Sequence, residues 1–261
     1  MEEMPAADSS LTQRQPNVPP YTDPLRGATV LRAVTFDMDD TLRQIHPFPP
    51  HLRFRELCAE AGFAISEEQA LAGARARKQF YEAWKDRGGR ATPAWSHQYA
   101  RVGLEAAGLT GDLDVLASAV QDARRRTTPL SVLDPDVPAV LEALRTRGWR
   151  LAVVSNWGSD LGAALVEYGI AHYFECVIDS VTAGAAKPDP RIYEVACAAL
   201  RLEPGECVHV GDSVVDDVGV ARAVGACPVL YDPLDALDGG CRRIASLSEL
   251  PTVLQALQTG V

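Results

Sequence analysis

Acidic side chains two residues apart at the end of an apolar run repel one another unless a cation, a proton or a ligand intervenes. The segment FDMDDTL, residues 36–42, has this arrangement, with Asp37 and Asp39 followed by Asp40 and Thr41. Such carboxylates could attack an electrophile, move a proton or hold a metal, although Asp-rich turns also cap helices. A second segment, VVSNWG at 153–158, places Ser155 and Asn156 after an apolar run and before a helix starting near Ser159 or Asp160. Small hydrogen-bonding side chains and free helix N–H groups suit phosphate oxygens there; an ordinary cap is the plain alternative. In GAAKPDPRIY, residues 184–193, Lys187 precedes a proline that restricts its backbone. Aimed into a crevice it would offset phosphate charge, and otherwise it is a solvated loop lysine. The fourth segment, HVGDSVVDD at 209–217, ends a strand at Asp212 and carries Asp216 and Asp217 into the next helix. Gly211 permits close backbone approach there, while an acidic first turn also favours a helix without any function.

Elements of one kind position all four. Short, apolar, β-branched runs at 31–36, 149–155, 175–180, 206–211 and 226–231 read as strands covered on both faces. Helical patterns lie between them at 137–147, 160–168 and 191–200, the last with Asp189 placed to cap and Pro190 at its first position. Alternation of this kind predicts parallel strands joined by right-handed crossovers. The candidate residues then fall at the carboxyl ends of the strands, where open α/β sheets bind ligands. Together they supply a nucleophile, an acid, hydrogen-bond donors, a cation and metal-binding carboxylates. Oxygen donors without a His or Cys cluster favour Mg2+ over zinc.

Residues 46–130 read differently, as helices at about 50–62, 67–87, 93–107 and 112–126 with no strand between them. Ser66 and Gln69 form a capping box, and Gly62, Gly88, Gly89 and Gly108 mark helix ends. The expected organisation is a tail at 1–28, an α/β core at 29–45 and 131–261, and a helical insert at 46–130. The net charge of -10 disfavours nucleic acid and anionic membranes as partners. The six cysteines form no CxxC pair and read as buried thiols. Without a long apolar run, a cytoplasmic protein is expected. No feature of the sequence sets an oligomeric state.

In order, content and spacing, the four segments resemble the motifs of the haloacid dehalogenase (HAD) superfamily of hydrolases, over about residues 31–231. The resemblance implies a Rossmann-like parallel-sheet core with a C1-type helical cap inserted after the first motif. It makes Asp37 the nucleophile and Asp39 the general acid/base, with Thr41 the hydroxyl of the first motif. Ser155 becomes the phosphate-binding hydroxyl, followed by Asn156, and Lys187 the cation of the third motif. Asp212 becomes a metal-binding acid beside Asp37 and the backbone carbonyl of Asp39, with Ser213, Asp216 and Asp217 in support. Asp40 departs from the pattern, since many relatives have glycine there.

These roles imply Mg2+-dependent hydrolysis of a small phosphorylated metabolite through an aspartyl-phosphate. Dehalogenases of the superfamily lack the second aspartate of the first motif, so Asp39 favours phosphate chemistry. A dehalogenase, a phosphotransferase and a catalytically weak interaction or regulatory protein are the alternatives. In the insert, Arg75, Lys78, Tyr81, Trp84, Lys85, Trp95 and His97 could meet a leaving group, yet helical spacing accounts for them equally well.

Overall fold

The computed structural model describes residues 30–46, 49–89, 92–127, 131–158 and 160–259. The expected tail at 1–28 and the candidate cap residue Ser159 lie outside these. The chain divides into two compact units. Among the described residues, the smaller unit holds the helical insert and Leu234–Leu237, and the larger unit holds the rest.

The smaller unit has four helices, α1 (Pro50–Glu60), α2 (Glu67–Asp86), α3 (Pro93–Ala106) and α4 (Leu113–Arg126). Ser66 and Gln69 form the expected capping box at the start of α2, and Thr92 and Asp112 cap α3 and α4. Phe54, Leu57, Ile65, Leu104 and Val120 are among the residues of a core belonging to this unit. Helices α2 and α3 approach through glycines. A Cβ built on Gly73 would lie 2.4 Å from Phe54 Cε1 and 2.6 Å from the Gly103 carbonyl oxygen. Leu234–Leu237 joins this unit through Arg75 Nε, which donates to Leu234 O at 2.6 Å, and Gln79 Nε2, which donates to Ala236 O at 2.8 Å. The expected core at 131–261 makes no provision for that segment, because nothing in its composition marks it as a partner for a helix.

The larger unit is built on β1 (Ala33–Phe36), β2 (Arg43–Gln44), β3 (Val132–Leu133), β4 (Arg150–Ser155), β5 (Cys176–Asp179), β6 (Cys207–Gly211), β7 (Cys227–Tyr231) and β8 (Arg242–Ile244). Six of these strands form one sheet in the order β5-β4-β1-β6-β7-β8, with every pairing parallel. Its helices are α5 (Val137–Thr146), α6 (Leu161–Glu167), α7 (Ser180–Ala183), α8 (Arg191–Leu200), α9 (Gly219–Val224) and α10 (Leu250–Thr259). Strand periodicity sorts the side chains onto two faces. Val34, Phe36, Leu151, Val153, Val208 and Val210 pack with α5, α6 and α10. Ala33, Ala152, Val154 and Cys207 pack with α8 and α9. Both faces are therefore covered, which accounts for the continuous apolar runs. Strand order reverses beside β1, so a crevice opens at the carboxyl ends of β4, β1 and β6.

The small β2–β3 pair is antiparallel, joining Arg43 to Leu133 and Gln44 to Val132. The six cysteines are free, with Cys58, Cys197, Cys207 and Cys227 buried. Among the described residues, no helix is long and apolar enough to cross a membrane.

The close α2–α3 approach leads to a stability prediction. Gly73→Ala gains up to about 1 kcal/mol of helix propensity. It should nevertheless be destabilising, because overpacking against a backbone carbonyl costs about 1–3 kcal/mol. Denaturant titration should show a lower midpoint than wild type; an equal or higher midpoint would mean that the helices separate freely.

Candidate active site

Strand β1 stops at Phe36, and the backbone turns at once. Asp37 N still donates to Val210 O at 2.9 Å, which pins the turn against β6, and Arg43 N closes it by donating to Met38 O at 2.9 Å. The side chains of Met38 and Leu42 anchor the turn in the core. Asp40 takes a left-handed conformation, φ 56°, and is exposed. Few residues other than glycine tolerate that backbone, and Asp is one of them. The departure at Asp40 therefore keeps the turn.

Lys187 comes from the loop between α7 and α8. Asn156, one residue past β4, holds that loop with both ends of its amide. Lys187 N donates to Asn156 Oδ1 at 2.7 Å, and Asn156 Nδ2 donates to Lys187 O at 3.0 Å. The buried ammonium donates to Asp37 Oδ1 at 2.6 Å and to Asp217 Oδ1 at 2.5 Å.

Asp217 reaches this point because Val214–Val218 is wound as a π-helical turn, a local form common at functional sites. Ser213 Oγ accepts from Asp216 N at 3.0 Å, and Asp217 Oδ2 accepts from Ser213 N at 2.9 Å. The turn folds back so tightly that a Cβ on Gly211 would lie 2.2 Å from Asp217 Cγ, which accounts for glycine there. His209 Nε2 lies 3.1 Å from Asp217 Oδ1, and His209 is almost fully buried.

Electrostatics follow from this packing. Burial, reinforced by Asp217 and Asp212 and opposed by Lys187, pushes the Asp37 carboxyl up to about 7. Asp217 is held below the usual carboxylate range because Lys187 and His209 outweigh its burial. Burial works against the charge of Lys187, but the two carboxylates overcome it and hold the ammonium above its ordinary value.

Asp37, Asp212 and Asp217 each bring a carboxylate oxygen within 4.8 Å of the others. Among these groups one ammonium faces three carboxylates, an excess of negative charge that a divalent cation would offset. Both oxygens of Asp217 are engaged, by Lys187 and by Ser213 N. Asp37 and Asp212, the metal acids expected from the sequence, are the carboxylates of this cluster that could hold the ion. An all-oxygen donor set fits Mg2+. The Thr41 hydroxyl is buried without a hydrogen-bond partner among the described residues, so it retains capacity for a ligand oxygen.

The expected residues thus separate. Asp37, Lys187, Asp212 and Asp217 converge, and Ser155 is buried at the end of β4. Asn156, expected among the phosphate ligands, has its amide occupied by the Lys187 backbone. Asp39 stands apart from the carboxylate cluster. Its Oδ1 accepts from Arg43 Nε at 2.6 Å and lies 2.5 Å from Arg43 Nη2, while the guanidinium stacks 4.4 Å over Trp157. Asp216 is partly exposed on the π turn. The aromatic residues of the insert pack on one another: Trp84 and Trp95 centroids are 4.8 Å apart, and those of Trp95 and Tyr99 are 5.1 Å apart. Sequence reading passed over Arg43, which follows the acidic turn without any motif of its own, and His209, a polar residue in an apolar strand three positions before Asp212.

Comparison with known proteins agrees with this geometry. A family model described as haloacid dehalogenase-like hydrolase matches residues 31–225. Haloacid dehalogenase-like hydrolase domain-containing protein 3 of Bos taurus is 33% identical over 78% of this chain and 84% of its own. Ribulose-1,5-bisphosphate 5-phosphatase of Halopiger xanaduensis is 30% identical over 79% of this chain and 87% of its own. The crystal structure of a HAD phosphatase from Thermococcus onnurineus superposes with a TM-score of 0.53 at 24% identity, covering 86% of this chain and 98% of the other. With a parallel sheet, a buried aspartate cluster at its carboxyl edge and a family match across most of its length, the chain belongs to the haloacid dehalogenase-like hydrolases.

Proposed function

We propose that this enzyme hydrolyses a small phosphomonoester, with Asp37 as nucleophile. The observation that carries the reading is the Lys187 ammonium shared between Asp37 at 2.6 Å and Asp217 at 2.5 Å at the carboxyl edge of the sheet. That arrangement holds the attacking carboxylate beside a fixed cation, where the charge on a phosphoryl group is offset. The Halopiger relative, a phosphatase by name, supports the same electrophile.

In the first step an oxygen of Asp37 forms a bond to phosphorus as the ester P–O bond breaks. Asp39 gives a proton to the departing oxygen, releasing an alcohol. In the second step Asp39, now a carboxylate, takes a proton from water as the water oxygen attacks phosphorus. The acyl-phosphate bond breaks, which frees Asp37 and inorganic phosphate. Arg43, stacked on Trp157, holds Asp39 in one orientation for both transfers. Ser155 and Thr41 supply hydroxyls to phosphoryl oxygens. Asn156 serves as the clamp on Lys187 and leaves phosphate binding to the two hydroxyls. Mg2+, held by Asp37 and Asp212, would neutralise the approach of two anions.

Release of inorganic phosphate from a phosphomonoester panel, with and without Mg2+, tests this reading. Wild type should show metal-dependent release that Asp37→Asn abolishes, and Asp39→Asn should slow release by about 10²–10⁴-fold. Halide release from 2-haloacids should be absent. Folded, Mg2+-loaded wild type that releases no phosphate from any ester would overturn the proposal.

A pH dependence follows from Asp37. Its carboxyl is raised from about 4 in an unfolded chain to about 7 by burial. Between those values the native state keeps a proton that the unfolded state has lost, so metal-free stability falls as pH rises from about 4 to about 7 and then levels off. Asp37→Asn removes that loss. In chelator the Tm of Asp37→Asn should rise relative to that of wild type across this window, whatever the offset left by the lost Lys187 contact, and a pH-independent difference would refute the assignment. Mg2+ competes with the same proton, so its affinity should climb with pH and flatten above about 7, as titration calorimetry would measure.

A further inference from the structure

The sheet face toward α8 and α9 is lined by Ala33, Ala152, Val154, Cys207 and their apolar neighbours. Two polar side chains interrupt it. Thr35 on β1 and His209 on β6 are register partners in the parallel pair, and both are almost fully buried. Buried polar groups in an apolar layer are costly unless every one is paired. Here they are paired in sequence. Tyr193 OH lies 3.0 Å from Thr35 Oγ1, Thr35 Oγ1 lies 2.8 Å from His209 Nδ1, and His209 Nε2 lies 3.1 Å from Asp217 Oδ1. The His209 ring meets that of Tyr193 edge-on, with centroids 5.4 Å apart.

This chain has one consistent proton order for a neutral ring. Asp217 accepts only, so Nε2 carries the hydrogen, which leaves Nδ1, at 2.8 Å, to accept the Thr35 hydroxyl hydrogen in preference to the Val208 carbonyl oxygen at 3.2 Å. Tyr193 then donates to Thr35. Burial favours the neutral ring, and the ammonium of Lys187 already compensates Asp217. One face of Asp217 Oδ1 is thereby occupied from inside the core, and the remaining face is directed at Lys187.

We infer that His209, set by Thr35 and Tyr193, is a positioning residue that fixes the Asp217 carboxylate so that Lys187 is held midway between Asp217 and Asp37. The inference deepens the phosphohydrolase reading and rests on it for its kinetic consequence, while its proton order stands independently. Without the His209 N–H, Asp217 Oδ1 would have Lys187 as its remaining partner. The ammonium would settle toward Asp217 and away from the nucleophile. Substrate binding would change little, and the chemical step would slow.

Three variants and one spectrum test this. His209→Met removes the N–H at similar volume, and His209→Gln keeps an N–H able to reach the same oxygen. Thr35→Val is close to isosteric and removes the hydroxyl that holds the ring. The expected result is a fall in kcat of about 10–100-fold for His209→Met, the range seen when an orienting partner is lost, with KM within threefold. His209→Gln should recover most of that loss, and Thr35→Val should fall between. Long-range 1H–15N spectra of the wild-type ring should show a protonated Nε2 and a bare Nδ1.

Equal kcat in wild type and His209→Met, or no recovery in a folded His209→Gln, would overturn the inference. A ring protonated on Nδ1 or on both nitrogens would do the same. Because the spectrum needs no turnover, a wild type that releases no phosphate would count against the phosphohydrolase reading, while the ring assignment is decided separately.

Discussion

An ammonium buried between two carboxylates is stable only while both remain in place. Taking Lys187 out of water is costly, and its contacts with Asp37 and Asp217 offset that cost only because each carboxylate is itself immobilised. Much of the local architecture meets this demand. The turn after β1 is pinned to β6, the Lys187 loop is gripped by Asn156, and the π turn presses Asp217 against Gly211. These supports come from three separate stretches of sequence, which only the parallel sheet brings together.

The sheet contributes more than proximity. Strand order reverses beside β1, so Asp37 lies at the switch point with β4 and β6 on either side. Side-chain alternation then divides the labour of β1 and β6. Their valines and Phe36 enter one apolar layer, while Thr35 and His209 enter the other and lead to the underside of the site. The charged cluster thus has solvent-side groups that can meet a ligand and a core-side group that can meet only protein.

Much of this was legible in the residues. Runs such as WRLAVVS and ECVHVG have a length and composition that permit little besides buried strands, and the four helices of the insert announce themselves by periodicity and glycine stops. Asp37, Lys187 and Asp212 stood out because charged residues at strand ends need a reason. Other features were hidden for physical causes. The edge strand β8 is short, with two exposed arginines and one buried residue, so it lacks an apolar signature. The Arg43–Asp39 pair looks in sequence like an ordinary linker beside an acidic turn. The roles of Asn156 and His209 depend on what lies opposite them, and a one-dimensional pattern holds no information about register.

The helical unit has a hydrophobic core of its own, with Phe54 and Leu104 at its centre, distinct from the two layers that clasp the sheet. In evolutionary terms this separates two kinds of inheritance. Substitutions in the helices are absorbed by their own packing and need not be matched by changes in the strands that hold the lysine and the aspartates. A lineage built on this plan can vary one unit generation after generation while transmitting the reactive centre of the other unchanged.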